Sequence, residues 1–353
     1  MQNFKKHIPM LAAILLVVLG LGISLSPKNT EPEQFKKYYI DAFDTATTII
    51  GNSDSEETFT AQADLINEEL KRYHKLYDIY NLYGDINNLR TINMNAGKEP
   101  VKVDQEIIDL LKFSIDLYEK TDGQINIAMG KVLKIWHDYR TTGMNDATLA
   151  ALPPMELLEE AAKHCNIEDI IIDEEASTVY LADPEMSLDV GSIGKGYAVQ
   201  KTAEYARESG FYNMVISCGG NVISIGPKLN GDNWKIGIDN PDPESDMAYI
   251  KAVSVTDKCV VTSGDYQRYY VVDGVKYCHI IDPDTLMPPT YFSSVSIICD
   301  HSGLADALST ALFNMPYEDG VALINSIEGA EAIWVLKDGS IKYSEHFEDY
   351  IAD

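Results

Sequence analysis

Ser187-Leu-Asp-Val-Gly-Ser-Ile-Gly-Lys-Gly-Tyr197 limits what this chain can build more than any other stretch. An apolar, strand-like run enters three closely spaced glycines and a lysine, and a helix-like segment follows at once. Glycines let backbone N–H groups and a helix N-terminus approach a phosphate with no Cβ in the way. The stretch is not a P-loop. G-x-x-x-x-G-K-[ST] needs four residues between its glycines, whereas Gly191 and Gly194 have two, and Gly196 stands where Ser or Thr belongs. Nor is it G-x-G-x-x-G. The turn points to a phosphorylated ligand that neither common nucleotide motif accounts for.

Charge raises an objection. The chain carries a net charge of −27, with a pI near 4.5. That field repels nucleic acid and anionic lipid, which are poor partners for it, and would repel a phosphate as well. A divalent cation is the usual remedy. The 353 residues, 45% of them hydrophobic, are enough for one large domain or two ordinary ones with a substantial core.

The first residues read Met-Gln-Asn-Phe-Lys-Lys-His, then an uncharged, mostly apolar run from Ile8 to Leu25. This fits a long signal peptide or a single membrane anchor. Residues 1–26 are expected to be that segment, 27–37 a linker and 38–353 the folded body. Ser24-x-Ser26 offers a cleavage site, but Pro27 disfavours cutting, and no cysteine is placed for lipid attachment. Positive-inside logic puts the body outside the cytoplasm, with the membrane touched through the N-terminal segment only. The five cysteines show no C-x-x-C or metal-ligand spacing and read as buried free thiols.

Tyr38–Gly51 is β-branched and aromatic, hence strand-like. Glu56–Leu76, Asp104–Lys120 and Pro154–His164 carry apolar residues at helical spacing. From Asp169 short β-rich runs alternate with turns, interrupted by helical stretches at Tyr197–Ser209, Leu304–Met315 and Tyr317–Ile327. Asp273-Gly274 between alternating apolar residues marks a hairpin. The pattern is α+β, with mostly antiparallel sheets flanked by helices.

Asp306 and Thr310 stand four apart on a predicted helix, so their oxygens share a face. Their neighbours are apolar, and a buried carboxylate is costly unless paired or bound to a metal. Carboxylate and hydroxyl, completed by carbonyl, water and phosphate oxygens, suit Mg²⁺; the plainer alternative is a bond from Asp306 to a neighbouring backbone group. Lys195 offers a point charge to a phosphate, and Asp189 a hydrogen-bond acceptor at the end of the strand-like run. His279, before Asp282-Pro283, is the candidate for proton handling, because imidazole titrates in the useful range.

Six blocks, taken in order, resemble the ApbE family of flavin transferases: Leu188–Tyr197, Ile216-Ser-Cys-Gly-Gly-Asn221, Trp234-Lys-Ile-Gly-Ile238, Thr262-Ser-Gly-Asp-Tyr266, His279-Ile-Ile-Asp-Pro283 and Ala305-Asp-Ala-Leu-Ser-Thr310. The resemblance runs from about Phe43 to Met315 and implies an ApbE-like, T-fold-like body. It also implies Mg²⁺-dependent transfer of FMN from FAD to a threonine hydroxyl of an acceptor protein; with the body expected outside the cytoplasm, the acceptor should be extracytoplasmic too. By resemblance the Ser192 carbonyl joins Asp306 and Thr310 on the metal, with Ser309 close enough to take part. FAD contacts are implied for Thr45, Gln124, Ile125, Asn126, Asp189, Lys195, His279 and Ile280, and catalytic roles for His279 and Asp306. Rival functions are a Mg²⁺-dependent FAD pyrophosphatase and a non-catalytic flavin-binding protein. The chain departs from the family pattern three times. Thr45-Ala46-Thr47 replaces Met-Gly-Thr, Asn126 replaces a carboxylate, and Asp282-Pro-Asp-Thr-Leu286 lacks the glycine after threonine, so a different turn geometry is expected there.

Overall fold

An eight-stranded, wholly antiparallel sheet organises residues 33–352, the part of the chain that the computed structural model describes. The expected N-terminal anchor or signal lies outside these residues. Among the described residues, no helix is long and apolar enough to cross a membrane. Strands β1 (Glu33–Ala42) and β2 (Thr45–Ser53) divide what the sequence pattern presents as one strand. Phe43 and Asp44 both take positive φ and turn the chain back on itself. β1 starts at Glu33, inside the stretch expected to be linker.

The sheet continues through β6 (Met214–Cys218), β7 (Asn221–Ile225), β10 (Cys259–Gly264), β13 (Phe292–Cys299), β14 (Glu331–Leu336) and β15 (Ile341–Tyr343), in that order. Gly219 and Gly220, both at positive φ, make the two-residue turn between β6 and β7. The strands of the second half are buried on both faces. Val261, Ile297 and Trp334 point to the helical layer, whereas Val260, Ile298 and Ile333 meet Ile238, Val253 and Phe347 on the other side. That second cover is a hairpin of β8 (Trp234–Asp239) and β9 (Tyr249–Val255).

Helix α1 (Glu56–Tyr77) is capped by Ser55 and buries Phe59, Ala63, Ile66, Leu70 and Tyr73, the residues whose spacing predicted it. It packs with α6 (Gly194–Glu208) and α7 (Ser302–Asn314) on the helical face of the sheet. His301 caps α7 by accepting the Leu304 N–H through Nδ1, at 3.2 Å. The chain between α1 and α6 forms α2 (Leu89–Met94), α3 (Gln105–Lys120), α4 (Gly130–Asn145), α5 (Met155–Ala162) and the small sheet of β3 (Val101–Lys102), β5 (Thr178–Leu181) and β4 (Ile170–Asp173). α8 (Tyr317–Asn325) follows α7.

A separate cluster around Trp136, Leu158, Tyr270 and Leu286 joins α4 and α5 to the hairpin of β11 (Tyr269–Val272) and β12 (Val275–Cys278). Leu286 corrects an expectation. It occupies the position that lacked a glycine, yet it adopts φ of 60°, the conformation glycine would take. The turn keeps its shape at a cost of roughly 1–2 kcal/mol. Burial of the leucine side chain and a 2.9 Å bond from Trp136 Nε1 to its carbonyl offset that cost.

Candidate active site

α6 opens at Gly194 after Ile193, which has no side chain able to cap it. The missing acceptor comes from another helix: the Gly196 N–H donates to Asp306 Oδ2 at 2.7 Å. A Cβ at position 196 would overlap Asp306 and the Ser302 carbonyl oxygen, so only glycine lets α6 and α7 meet this closely. That contact is why the lysine is not followed by Ser or Thr.

Asp306 is 5% exposed. Burial raises its carboxyl pKa, opposed by Lys195 and by hydrogen bonds from Gly196 and Asn221. One oxygen therefore serves the backbone, as the plainer alternative supposed. The other lies 4.0 Å from Lys195 Nζ, too far for a hydrogen bond. Thr310 follows one turn later on the same face, with Oγ1 3.3 Å from Ser263 Oγ. Among the described residues no group of three or more His, Cys, Asp or Glu could hold a metal ion. A cation here would take a single carboxylate, with hydroxyl, carbonyl and ligand oxygens completing its shell.

These groups open onto a cavity of about 530 Å³, ample for a cofactor-sized ligand. Thr45, Gln124, Asn126, Asp189, Ser192, Lys195, His279, Ile280, Asp306 and Thr310 all line it. Ile125 and Ser309 do not. The Ile125 side chain points into the core, and its N–H is taken by Thr121 Oγ1 at 3.1 Å. Ser309 is fully buried behind the site, bonding the Asp306 carbonyl at 2.9 Å and Ser263 Oγ at 2.8 Å. It supports Asp306 and Thr310 from behind.

The run before the glycines is also different from expectation. It forms no regular strand; Ser187 makes an isolated parallel bridge with Met129, and the Asp189 N–H bonds the Ile127 carbonyl. Asp189 Oδ1 in turn accepts the Gly191 N–H at 2.8 Å and fixes the turn, while burial raises its pKa. Asn126 uses both ends of its amide on the chain, donating to the Cys165 carbonyl and accepting from the Ala128 N–H. A carboxylate there could not donate. Gln124 donates to Asp284 and leaves its Oε1 buried without a partner.

The opposite wall was not anticipated. Helix α4 contributes Lys134, His137 and Arg140, and Arg268 enters from the start of β11. Basic residues at 134, 137 and 140 beside apolar Val132, Leu133 and Trp136 were the available signal, at helical spacing. Tyr80, which stacks loosely on His137 at 5.9 Å between ring centroids, was also missed. Among the described residues neither Arg140 nor Arg268 has a carboxylate within ion-pair distance, and burial and Arg268 together lower the Arg140 pKa. The lining holds five cations (Arg90, Lys134, Arg140, Lys195, Arg268) against three carboxylates (Asp138, Asp189, Asp306), inverting the chain-wide excess of acid. Arg140 Nη2 lies 3.3 Å from His137 Nδ1, and two guanidinium groups without carboxylate partners in a cleft suit an anion.

His279 ends the same hairpin that Arg268 begins. Its Nδ1 is buried with no hydrogen-bond partner. Burial, then Arg268, Arg140 and Lys195, push its pKa down to about 3, so without an anion in the cleft the ring is neutral and a weak base, below the range expected from the sequence.

A glycine turn, a buried carboxylate beside a lysine and an opposing arginine pair define a site for a phosphorylated cofactor in an α+β enzyme. The ApbE family model matches residues 42–334, and the chain belongs to that family. It is 34% identical over 282 residues to the FAD:protein FMN transferase of Treponema pallidum, covering 76% of this chain and 75% of the relative. The FAD:protein FMN transferase of Klebsiella pneumoniae is 30% identical over 288 residues, covering 80% and 84%. The crystal structure of the ApbE protein of Thermotoga maritima superposes with a TM-score of 0.79 at 31% identity, covering 91% of this chain and all of that one. The flavin transferase ApbE of Vibrio cholerae shares the fold, with a TM-score of 0.74 at 24% identity.

Proposed function

We propose that this chain transfers FMN from FAD to a threonine hydroxyl of an acceptor protein, with Mg²⁺, releasing AMP. The observation that carries this reading is the Asp306 carboxylate, buried against the glycine turn within 4.0 Å of Lys195 and opening onto a cation-rich cavity. The FAD pyrophosphate lies between the two walls. Lys195 and the N–H groups of the turn hold it from one side, and Arg140 and Arg268 from the other. The threonine oxygen bonds the FMN phosphorus as the bond to the AMP phosphate breaks, and AMP leaves with that electron pair. With the pyrophosphate offsetting Arg268, Arg140 and Lys195, the charges that hold its pKa down, the His279 ring takes the hydroxyl proton.

The donor set fits Mg²⁺, which is commonly held by one or two carboxylates together with substrate phosphates and waters. Asp306, Thr310 and the Ser192 carbonyl would hold it. When bound it neutralises charge on the transferring phosphoryl group. Localisation belongs to the same proposal. Lys5 and Lys6 ahead of the apolar run 8–25 support a body, and hence an acceptor, outside the cytoplasm. Protease added to intact cells should then digest the folded body.

The purified chain, incubated with FAD, Mg²⁺ and a candidate acceptor, should leave flavin fluorescence on the acceptor band of a denaturing gel, and a chelator should abolish it. Free FMN formed without acceptor, and no labelled band with it, would favour a pyrophosphatase. Intact FAD after long incubation would favour a binding protein.

A further inference from the structure

Cys259 and Cys299 stand directly opposite each other where β10 and β13 pair, at the end of the ladder away from the cavity. Their sulfurs are 3.7 Å apart. Residues opposed across an antiparallel pair have Cα atoms about 4.5–5.5 Å apart, a spacing that a disulfide bridges. The other three cysteines enter no such pairing: Cys218 lies in β6, Cys278 in β12 and Cys165 after α5. Both sulfurs sit in the dry layer between sheet and helices, beside Val261 and Ile297.

We infer that Cys259 and Cys299 form an intrachain cross-strand disulfide when the chain folds in the presence of a disulfide oxidant. One thiolate attacks a sulfur of the oxidant, giving a mixed disulfide and releasing one thiol. The second cysteine thiolate displaces the remaining half as a second thiol, so two protein thiols are oxidised and one oxidant disulfide is reduced. Either cysteine can make the first attack, and the product is the same. Both sulfurs are closed off in the finished fold, with exposures of 0% and 2%, so the reaction belongs to folding. The bond would join the strand carrying Ser263, which touches Thr310, to the strand that leads into His301 and α7. It would therefore tie together the two elements behind the metal-binding face.

The full chain, unfolded in guanidinium and refolded in detergent with reduced and oxidised glutathione, is alkylated in denaturant and weighed. The five thiols of the reduced chain should fall to three, with one peptide pair linking Cys259 to Cys299 and a thermal midpoint above that of the reduced protein. Cys259→Ala should keep all four of its thiols under the same treatment. Five alkylated thiols in the refolded wild-type chain, glutathione adducts at Cys165 alone, or a cross-link between any other pair would overturn the inference.

Discussion

The two walls of the cavity are built in opposite ways. The acidic wall, made by the glycine turn and α7, is close-packed: Gly196 admits Asp306 because it has no Cβ, and Asp306 caps the helix that Gly194 begins. The basic wall, made by α4 and the ends of the β11–β12 hairpin, is more open to water, with Lys134 and Arg268 exposed. Its guanidinium groups repel one another and lack carboxylate partners. The first wall is held by the fold in the geometry that chemistry needs. The second stores unfavourable charge that an anionic ligand relieves, in a chain whose net charge of −27 would otherwise keep that ligand away.

The contrast breaks most visibly at Asp306. Asp306→Asn keeps the shape and an acceptor for the Gly196 N–H but removes the carboxylate proposed to hold Mg²⁺. FMN transfer should fall by ~10³-fold or more, with an unchanged circular dichroism spectrum; full activity would remove Asp306 from the metal site. Arg268→Ala acts on the other wall and should act on binding. Loss of a charge-assisted bond worth roughly 1.5–3 kcal/mol should raise the KM for FAD by about 10–100-fold with little change in kcat. An equal fall in kcat with KM unmoved would place Arg268 in the chemistry.

Gly196→Ala tests the packing directly. Forcing a Cβ between α6 and α7 should cost about 1–3 kcal/mol of stability, read from the urea midpoint, and Arg268→Ala should cost much less. The smallest effect is the acid response of His279. Its folded pKa of about 3 lies below the ordinary imidazole value, so between the two the unfolded chain binds the extra proton. The stabilisation from keeping the ring neutral is complete above about pH 6.5 and is lost as pH falls toward 3. His279→Gln should therefore lose less stability than the parent between pH 7 and pH 5. Parallel losses would mean that the ring is not held neutral.

The acidic wall was legible in the sequence because its parts lie in short blocks. The spacing of Asp306 and Thr310 on an apolar helix, and of Gly194, Lys195 and Gly196, already states which atoms share a face. The family resemblance supplied what spacing could not, placing these two blocks beside each other. Asp306 capping α6 was invisible, because a helix cap donated from 110 residues away leaves no local mark. α4 was overlooked for a related reason. Its N-terminus has no side-chain cap, and its first residue is a glycine pressed against the Ser187 carbonyl, so the usual start signal is missing. Without that helix, Arg140 and His137 had no face to share with Arg268. Leu286 misled in the other direction: a leucine in a left-handed turn reads as a changed turn until its buried partners are seen.

Both walls serve one claim, that FAD is cleaved at its pyrophosphate and the FMN half is kept on a protein. The most direct test weighs the acceptor and counts the AMP in the same reaction. The account predicts that each acceptor molecule gains one FMN less one water, that one AMP appears for every acceptor modified, and that the gain disappears when the acceptor threonine is replaced by alanine. AMP and FMN appearing together while the acceptor mass stays unchanged would contradict it.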